Sequence, residues 1–314
     1  MILPFLSEVI PVYNEEGNIH QLYSELKNAN LDLIQTKKIS GYEIIFVNDG
    51  STDNTQEILS KLKIQDKNLK ILELRKNFGQ TPALKAGFDN ARGDLIVTLD
   101  GDLQNDPNDI SKLIEKLKEG YDVVSGWRFD RKDKISKNIS SKSINFLRKK
   151  LIGDELHDYG CALKIYKKEC LKDLELFGEL HRYITAYLYI KGYKIGEIKV
   201  NHRERKHGKT KYGNINRGIK GFFDLLFLKF WSIYSSRPLH FFGALALIQW
   251  IFAILIATWQ IVKYKSSLQL GPFLMFSVLL VLSGLLTLIF GFLSEVLARI
   301  YFKDQSIYSV KELS

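Results

Sequence analysis

The 314-residue chain carries 45 Lys and Arg against 35 Asp and Glu, a formal net charge of +10, and 46% of its residues are hydrophobic. Length allows one large domain or two of ordinary size with a real core, and the excess charge alone leaves nucleic acid, an anionic membrane surface and a phosphorylated substrate as candidate partners. The only cysteines, Cys161 and Cys170, exclude a disulfide framework and a zinc ribbon and read as reduced thiols.

The opening "MILPFLSEVIPVYNEE" has no basic n-region and turns polar almost at once, so it reads as a first strand and not as a signal peptide. Up to about residue 110, strand-like and helix-like stretches alternate: "SEVIPVY", "IHQLYSELKNA", "YEIIFVND", "TQEILSKLKIQ", "LKILELR", "TPALKAGFDNA" and "DLIVTLD". That rhythm predicts an α/β fold with a mostly parallel sheet. The first, second and fourth strands run into "PVYNEEGN", "NDGSTDNT" and "DGDLQND". These three loops should gather at the carboxyl edge, where open α/β sheets bind ligands.

Each loop has a bland reading and a chemical one. Asn14 or Glu15 could cap a helix. Gly50 permits a tight turn, and Ser51, Thr52 or Asp53 can cap the helix that begins near Thr55. A single cap does not require Asp49 at the strand tip, where a carboxylate can accept from a base N–H or a ribose hydroxyl. Asp100 and Asp102 end a buried run, and adjacent carboxylates there are costly without a cation. If the chain is still extended, both project to one side. Hard oxygens with no His or Cys nearby in sequence favour Mg²⁺ or Mn²⁺, completed by phosphate and water, and Gln104 could add an amide oxygen.

From about 111 to 213 the pattern loosens. It holds a helix "DISKLIEKLKEG", a strand "YDVVSGW", a basic stretch after Arg128, the segment "DYGCALKIYKKECL", a helix around "HRYITAYLYIKG" and the basic turn "NHRERKHGKTKYG". The predicted catalytic-domain boundary is 1–213. Residues 214–237, "RGIKGFFDLLFLKFWSIYSSRP" at their core, read as amphipathic helices lying in a headgroup layer. Residues 239–262 and 273–296 read as a transmembrane hairpin within 238–303: the stretches Leu239 to Val262 and Phe273 to Ser294 contain no Asp, Glu, Lys or Arg, and a helix of the first would be roughly 36 Å long. Arg217, Lys220, Lys229, Arg237, Arg299 and Lys303 flank the pair, which places both flanks and the 304–314 tail in the cytoplasm. His157, His181, His202 and His207 show no metal-ligand spacing.

"IPVYNEEGNI", "FVNDGSTDNT", "DGDLQNDP" and "GCALKIYKK", in this order and followed by a hairpin, resemble the polyisoprenyl-phosphate glycosyltransferases of glycosyltransferase family 2, relatives of dolichyl-phosphate mannose synthases. The resemblance covers essentially the whole chain. It implies a GT-A nucleotide-sugar-binding domain that moves a hexose, with inversion, from a nucleotide sugar to a polyisoprenyl phosphate of undecaprenyl type. Pro11, Val12, Tyr13 and Glu15 then match the nucleotide-pocket segment, Asp49 the acid contacting base or ribose, and Asp100, Asp102 and Gln104 the metal-bearing triplet. Arg205, Gly208 and Lys211 match an Arg-x-x-Gly-x-Ser/Thr-Lys pattern.

The lipid phosphate needs a basic cradle, for which Arg128, Arg131, Arg205 and Lys211 are candidates; a solvated basic surface attracted to anionic lipid is the alternative for each. Asp158 matches a recurrent family acid near the acceptor, with a structural carboxylate as the equal alternative. UDP-glucose is the expected donor on family habit, although no residue separates it from UDP-galactose, GDP-mannose or an aminopentose donor. The resemblance suggests a homo-oligomer, with a tetramer as one form. A processive polysaccharide synthase would carry a Gln-x-x-Arg-Trp motif, which is missing here. A silent membrane scaffold would not need Asp49, Asp100, Asp102 and Arg205 together. A nucleic-acid partner is disfavoured because the cations sit in acceptor-side loops and before the membrane.

Overall fold

The alternating first third of the chain becomes β1 (Phe5–Val12), α1 (Ile19–Gln35), β2 (Gly41–Asn48), α2 (Thr55–Gln65), β3 (Leu69–Glu73), α3 (Gln80–Asn90) and β4 (Leu95–Thr98). Beyond it lie α4 (Ile110–Lys118), β5 (Val123–Trp127), β6 (Lys164–Lys167), α5 (Ile184–Ile190) and β7 (Ile195–Lys199). This computed structural model describes residues 3–129, 156–172, 178–204, 233–264 and 271–301, with isolated positions 153, 174, 176, 223, 226, 227 and 229–231. The chain divides into two compact units, Met1–Leu225 and Leu226–Ser314.

In the first unit the strands form one sheet in the order β3-β2-β1-β4-β6-β5-β7. Strands β1 to β4 are parallel, β6 runs antiparallel to both β4 and β5, and β7 is parallel to β5. Strand order reverses between β1 and β4, which makes the crevice at their carboxyl ends the topological switch point. Both faces of the sheet are covered, so the strands are apolar on both sides. Ile10, Ile44, Phe46, Val97, Val124 and Ile165 meet α1, α2 and α4 on one face. Val9, Ile45, Val47, Ile96, Val123 and Tyr166 meet α3 and α5 on the other. Strands β6 and β7 are additions to the sequence reading. Each is four or five residues long and carries lysine or glutamate within it, which breaks the apolar run that marks a buried strand. Both cysteines are buried and unpaired, and burial pushes the Cys161 thiol up to about 11.

One carboxyl group sits inside this core. Glu8 on β1 is fully buried and accepts from Asn30 Nδ2 of α1 at 2.8 Å, while Glu8 Oε1 and Asn30 Oδ1 have no partner. Burial pushes the Glu8 carboxyl up to about 8, against the smaller opposing effect of the Asn30 hydrogen bond. A proton on Glu8 supplies the kind of donor that Asn30 Oδ1 lacks.

In the second unit, α6 (Pro238–Tyr264) and α7 (Pro272–Tyr301) are long and apolar enough to cross a membrane, with mean hydropathies of 2.2 and 2.6 over their best windows. Ser277, Gly284 and Gly291, seven residues apart, are the buried positions of α7. A Cβ at Gly284 would stand 2.4 Å from Trp250 Nε1, and one at Gly291 would stand 2.8 Å from Phe242 Cβ. These small residues let the two backbones approach. Gln249 adds a polar clasp, donating to Ser283 Oγ at 3.3 Å and accepting from Thr287 Oγ1 at 3.2 Å. The interfacial helices expected at 214–237 lie largely outside the described residues; Lys229–Trp231 are helical.

Two outcomes follow from these features. With a folded pKa near 8 against 4.5 when unfolded, the contribution of Glu8 to stability is fully present below pH 4.5 and is lost as pH rises through 8. Glu8→Gln should therefore match the wild type near pH 5 and exceed it at pH 8.5 by roughly 3–5 kcal/mol in denaturant titrations; parallel pH profiles would exclude this. Gly284→Leu should destabilise the detergent-solubilised hairpin by about 1–3 kcal/mol through overpacking, measured by titration with a denaturing detergent, with Gly284→Ala intermediate.

Candidate active site at the carboxyl edge of the sheet

Because β1 and β2 are parallel with Val12 opposite Asn48, their following loops leave the sheet side by side and bond to each other. Asn14, in the left-handed region with φ 51°, donates its backbone N–H to Ser51 Oγ at 2.9 Å and accepts from Thr52 N at 2.7 Å. Glu15 N donates to Thr55 Oγ1, and Asn54 N to Glu16 Oε2. Asp53 accepts from Thr55 N and Glu16 N. Partial burial opposes ionisation of Asp53, but the hydrogen bonds from Thr55 and Glu16 outweigh it and hold the carboxyl below the usual range. Of the residues expected to line a nucleotide, Tyr13 and Pro11 are half-buried, Val12 is in the core, and Glu15 is buried and accepts from Asn18 Nδ2 at 2.6 Å.

Asp49 stands at the tip of β2, as expected, and has a structural task that its sequence position does not reveal. Its two oxygens accept from the backbone N–H groups of Phe78 and Gly79 at 2.7 and 2.8 Å. Gly50, with φ +66°, has Lys76 so close that a Cβ would fall 2.4 Å from its carbonyl carbon. Together they fix the β3–α3 loop against the edge, where Phe78 is 52% exposed with Lys76 Nζ 5.1 Å above its ring. Phe78 and Lys76 were not among the expected site residues.

Strand β4 ends at Thr98, and the chain turns through Gly101 and Asp102. Asp100 and Asp102 are thus placed by a turn and not by strand alternation. A Cβ on Gly101 would stand 2.7 Å from Val12 Cγ1, so this loop crosses directly over the end of β1. Leu103 is buried with φ 62°, a strained conformation for a bulky residue, sustained by core packing. Asp100 Oδ1 accepts from Gln80 Nε2 at 2.8 Å, and Asp102 Oδ1 accepts from Gln104 N at 3.1 Å. Among the described residues no cluster of three or more His, Cys, Asp or Glu side chains could hold a metal by itself. Two carboxylates at a switch point fit Mg²⁺ or Mn²⁺ with the remaining positions filled by diphosphate and water, and they do not fit a closed all-protein cage. Gln104 Nε2 lies 3.5 Å from the Arg203 carbonyl.

The segment after β7 is stitched to this acid loop. Arg203 N donates to Gln104 O at 2.9 Å, and its guanidinium bridges Glu25 at 2.5 Å and Asp106 at 2.8 Å. Asn201 donates to Asp109 and Asp106. Burial would raise the Asp106 carboxyl, but hydrogen bonds from Asn108, Arg203 and Asn201 hold it below the usual range. Residues 201–204 thus lie against the acid loop. Arg205, Lys211 and Arg131 themselves lie outside the described residues.

Arg128 and Asp158, both expected on the acceptor side, bind one another. Arg128 Nε and Nη2 fork onto the Asp158 carboxylate at 2.6 and 2.9 Å, both side chains being about nine-tenths buried. Burial opposes both charges, yet the pairing outweighs it: Arg128 is pushed above its ordinary value and Asp158 held below the usual range. This geometry favours the structural reading of Asp158 and occupies the Arg128 fork that was expected to meet phosphate. Glu197 of β7 braces the pair by accepting from Asp158 N at 2.8 Å and from His157.

Between α3, β4, β6 and the turn Leu180–Tyr183 opens a cleft of about 110 Å³, with Asp100, Lys164, Tyr166, His181 and Arg182 in its lining. Sequence reading missed this wall because it is built on β6.

The glycosyl transferase family 2 model matches residues 7–175. The dodecaprenyl-phosphate galacturonate synthase of Rhizobium johnstonii is 40% identical over 96% of this chain and 90% of its own length. The undecaprenyl-phosphate 4-deoxy-4-formamido-L-arabinose transferase of Pseudomonas aeruginosa is 33% identical over 95% and 86%. Among solved structures, glucosyl-3-phosphoglycerate synthase from Mycobacterium tuberculosis with Mn²⁺ and UDP-glucose superposes with a TM-score of 0.52 at 18% identity, covering 72% of this chain and 79% of that one, a likeness of GT-A fold. With the switch-point acids on a sheet of this order and a family match over more than half its length, the chain belongs to glycosyl transferase family 2.

Proposed function

We propose that the protein transfers a sugar from a nucleoside diphosphate donor to a polyprenyl phosphate at a membrane surface. The observation that carries this reading is the acid loop Asp100–Gln104 at the switch point of a chain that also ends in an apolar hairpin. The full-length likeness to polyprenyl-phosphate sugar transferases supports it. The sugar is open: the named relatives carry galacturonate and a formamido-arabinose, and neither supports the glucose expected from family habit.

The nucleoside lies along the β1 and β2 loops, near Pro11, Tyr13 and Asp49, and the diphosphate reaches the acids of β4. Asp100 and Asp102 would hold a divalent ion, which would supply Lewis-acid neutralisation of the charge on the departing diphosphate. An oxygen of the lipid phosphate attacks the anomeric carbon as the bond from that carbon to the diphosphate oxygen breaks. The bonding pair leaves with the diphosphate, and the anomeric centre inverts. A phosphate monoester with its second pKa about 6 is already mostly dianionic near neutrality, so no strong general base is required. Arg205 and Lys211 meet that dianion, a role that rests on the sequence pattern. Helices α6 and α7 anchor the chain in a cytoplasmic membrane with the catalytic domain on the cytoplasmic side.

The test is a screen of UDP- and GDP-sugars with purified protein, Mn²⁺ and polyprenyl phosphate, identifying the lipid product by mass. Asp102→Asn should slow transfer by roughly 100- to 1,000-fold, several kcal/mol of leaving-group stabilisation, without lowering the melting temperature. Full activity in excess EDTA would refute the metal role. The Arg128–Asp158 pair should behave differently. Removing either partner leaves a buried charge and should cost about 3–5 kcal/mol of stability, with the double variant less destabilised than the sum. Additive losses in that double-mutant cycle would return Arg128 to the acceptor cradle.

A further inference from the structure

Lys164 is an exposed residue type in a closed place. It opens β6 opposite Thr98 of β4, is 4% exposed, and donates to the carbonyls of Cys161 at 2.6 Å and Tyr159 at 3.2 Å. Those bonds use two of its three N–H donors. Among the described residues no carboxylate stands within ion-pair distance of its nitrogen, although the cleft it lines reaches Asp100. An ammonium without a direct ion pair is costly to bury; burial has the largest effect and lowers its pKa, while the more distant charges of Asp158 and Asp100 act the other way, as an incoming anion would. Arg182 lies in the same lining, its guanidinium paired with Glu179 at 3.1 Å. His181 is tied to Thr81 of α3 at 2.7 Å.

The order of the sheet says which part of a donor reaches this wall. Asp49 is on β2, Pro11 and Tyr13 follow β1, and the acids follow β4; the cleft lies beyond them, between β4 and β6. None of residues 11–15 or 49–53 lines it. A donor with its nucleoside at β2 and its diphosphate at β4 therefore places its sugar here. Tyr166 closes the floor beside Lys164 with 1% exposure. Such a floor suits the terminal substituent of a sugar and not a phosphate that must continue into a polyprenyl chain. Asp100, the only acidic lining residue among the described residues, is committed to the metal under the reading above, which leaves the sugar facing cations.

We propose that Lys164, seconded by Arg182, recognises a carboxylate on the transferred sugar, so that the donor is a nucleoside diphosphate hexuronate. This rests on the transfer reading for the placement of the diphosphate, and it assigns the substrate class that reading leaves open. Lys164 is a specificity residue: it touches the sugar substituent and not the reacting bond.

The experiment compares UDP-galacturonate with UDP-galactose, which differ only at C6, on the full-length protein in detergent with Mn²⁺. Donor affinity is measured by calorimetry and transfer by labelled lipid product. The wild type should bind the uronate more tightly, and transfer it with higher kcat/KM, by roughly 10- to 150-fold, the range of one charge-assisted hydrogen bond. Lys164→Met should collapse that ratio towards one, and Lys164→Arg should restore most of it. Equal wild-type affinities for the two donors overturn the proposal, and this comparison decides even if Lys164→Met fails to fold. A Lys164→Met protein with an unchanged donor ratio but a raised KM for lipid phosphate also overturns it, by moving Lys164 to the acceptor. If neither donor yields a lipid product while the uronate still binds preferentially, the transfer reading falls and the carboxylate assignment stands.

Discussion

A loop of two acids laid across the end of a neighbouring strand is the constraint on which this molecule is organised. Gly101 passes over Val12 with no room for a Cβ, and Leu103 holds a left-handed conformation beneath it. The crossing lies where β1 and β4 run parallel and the strand order reverses, which is the switch point. Everything else at the edge is referred to that loop. Gln80 at the start of α3 meets Asp100, Gln104 and Asp106 receive the segment after β7, and the cleft wall begins at Asp100.

Around this loop the other charges are arranged to cancel. Arg128 and Asp158 close on each other, and Arg203 is shared by Glu25 and Asp106. Glu43 is held by Arg92 and Ser7 at the opposite, amino end of the strands. Such pairs add little net stability relative to apolar packing, but losing one partner is expensive, so they specify where loops sit. Lys164 differs, since its acceptors are carbonyls.

Much of this was legible because the first four strands carry mostly apolar runs, interrupted only by Ser7, Glu8, Glu43 and Lys70, and each ends at a polar loop. The sheet, the three edge loops and the apolar hairpin are where periodicity and hydropathy place them. Helix α7 runs to Tyr301, beyond the expected 296, because Glu295 and Arg299 pair at 3.5 Å along one face instead of ending the helix. Pairing was not legible: only the fold brings Phe78 N to Asp49 and Arg128 to Asp158. Strand β6 was not expected because a lysine occupies a buried position in it, and of the cleft lining only Asp100 was among the expected site residues. Arg131, Arg205 and Lys211 lie outside the described residues, so their reading still rests on the sequence pattern.

The reciprocal bonds between the loops after β1 and β2 bear on how such a site diversifies. Asn14, Glu15 and Glu16 are partnered by Ser51, Thr52, Asp53, Asn54 and Thr55 across nearly forty positions of sequence. The two stretches are one unit of inheritance as far as the nucleoside end is concerned: a segment exchanged with a relative in one of them arrives without its complement in the other. The cleft wall shares none of these bonds. Under the proposed placement of the donor, sugar preference can drift, or be grafted, on α3, β6 and the Leu180–Tyr183 turn while the paired loops after β1 and β2 are inherited intact.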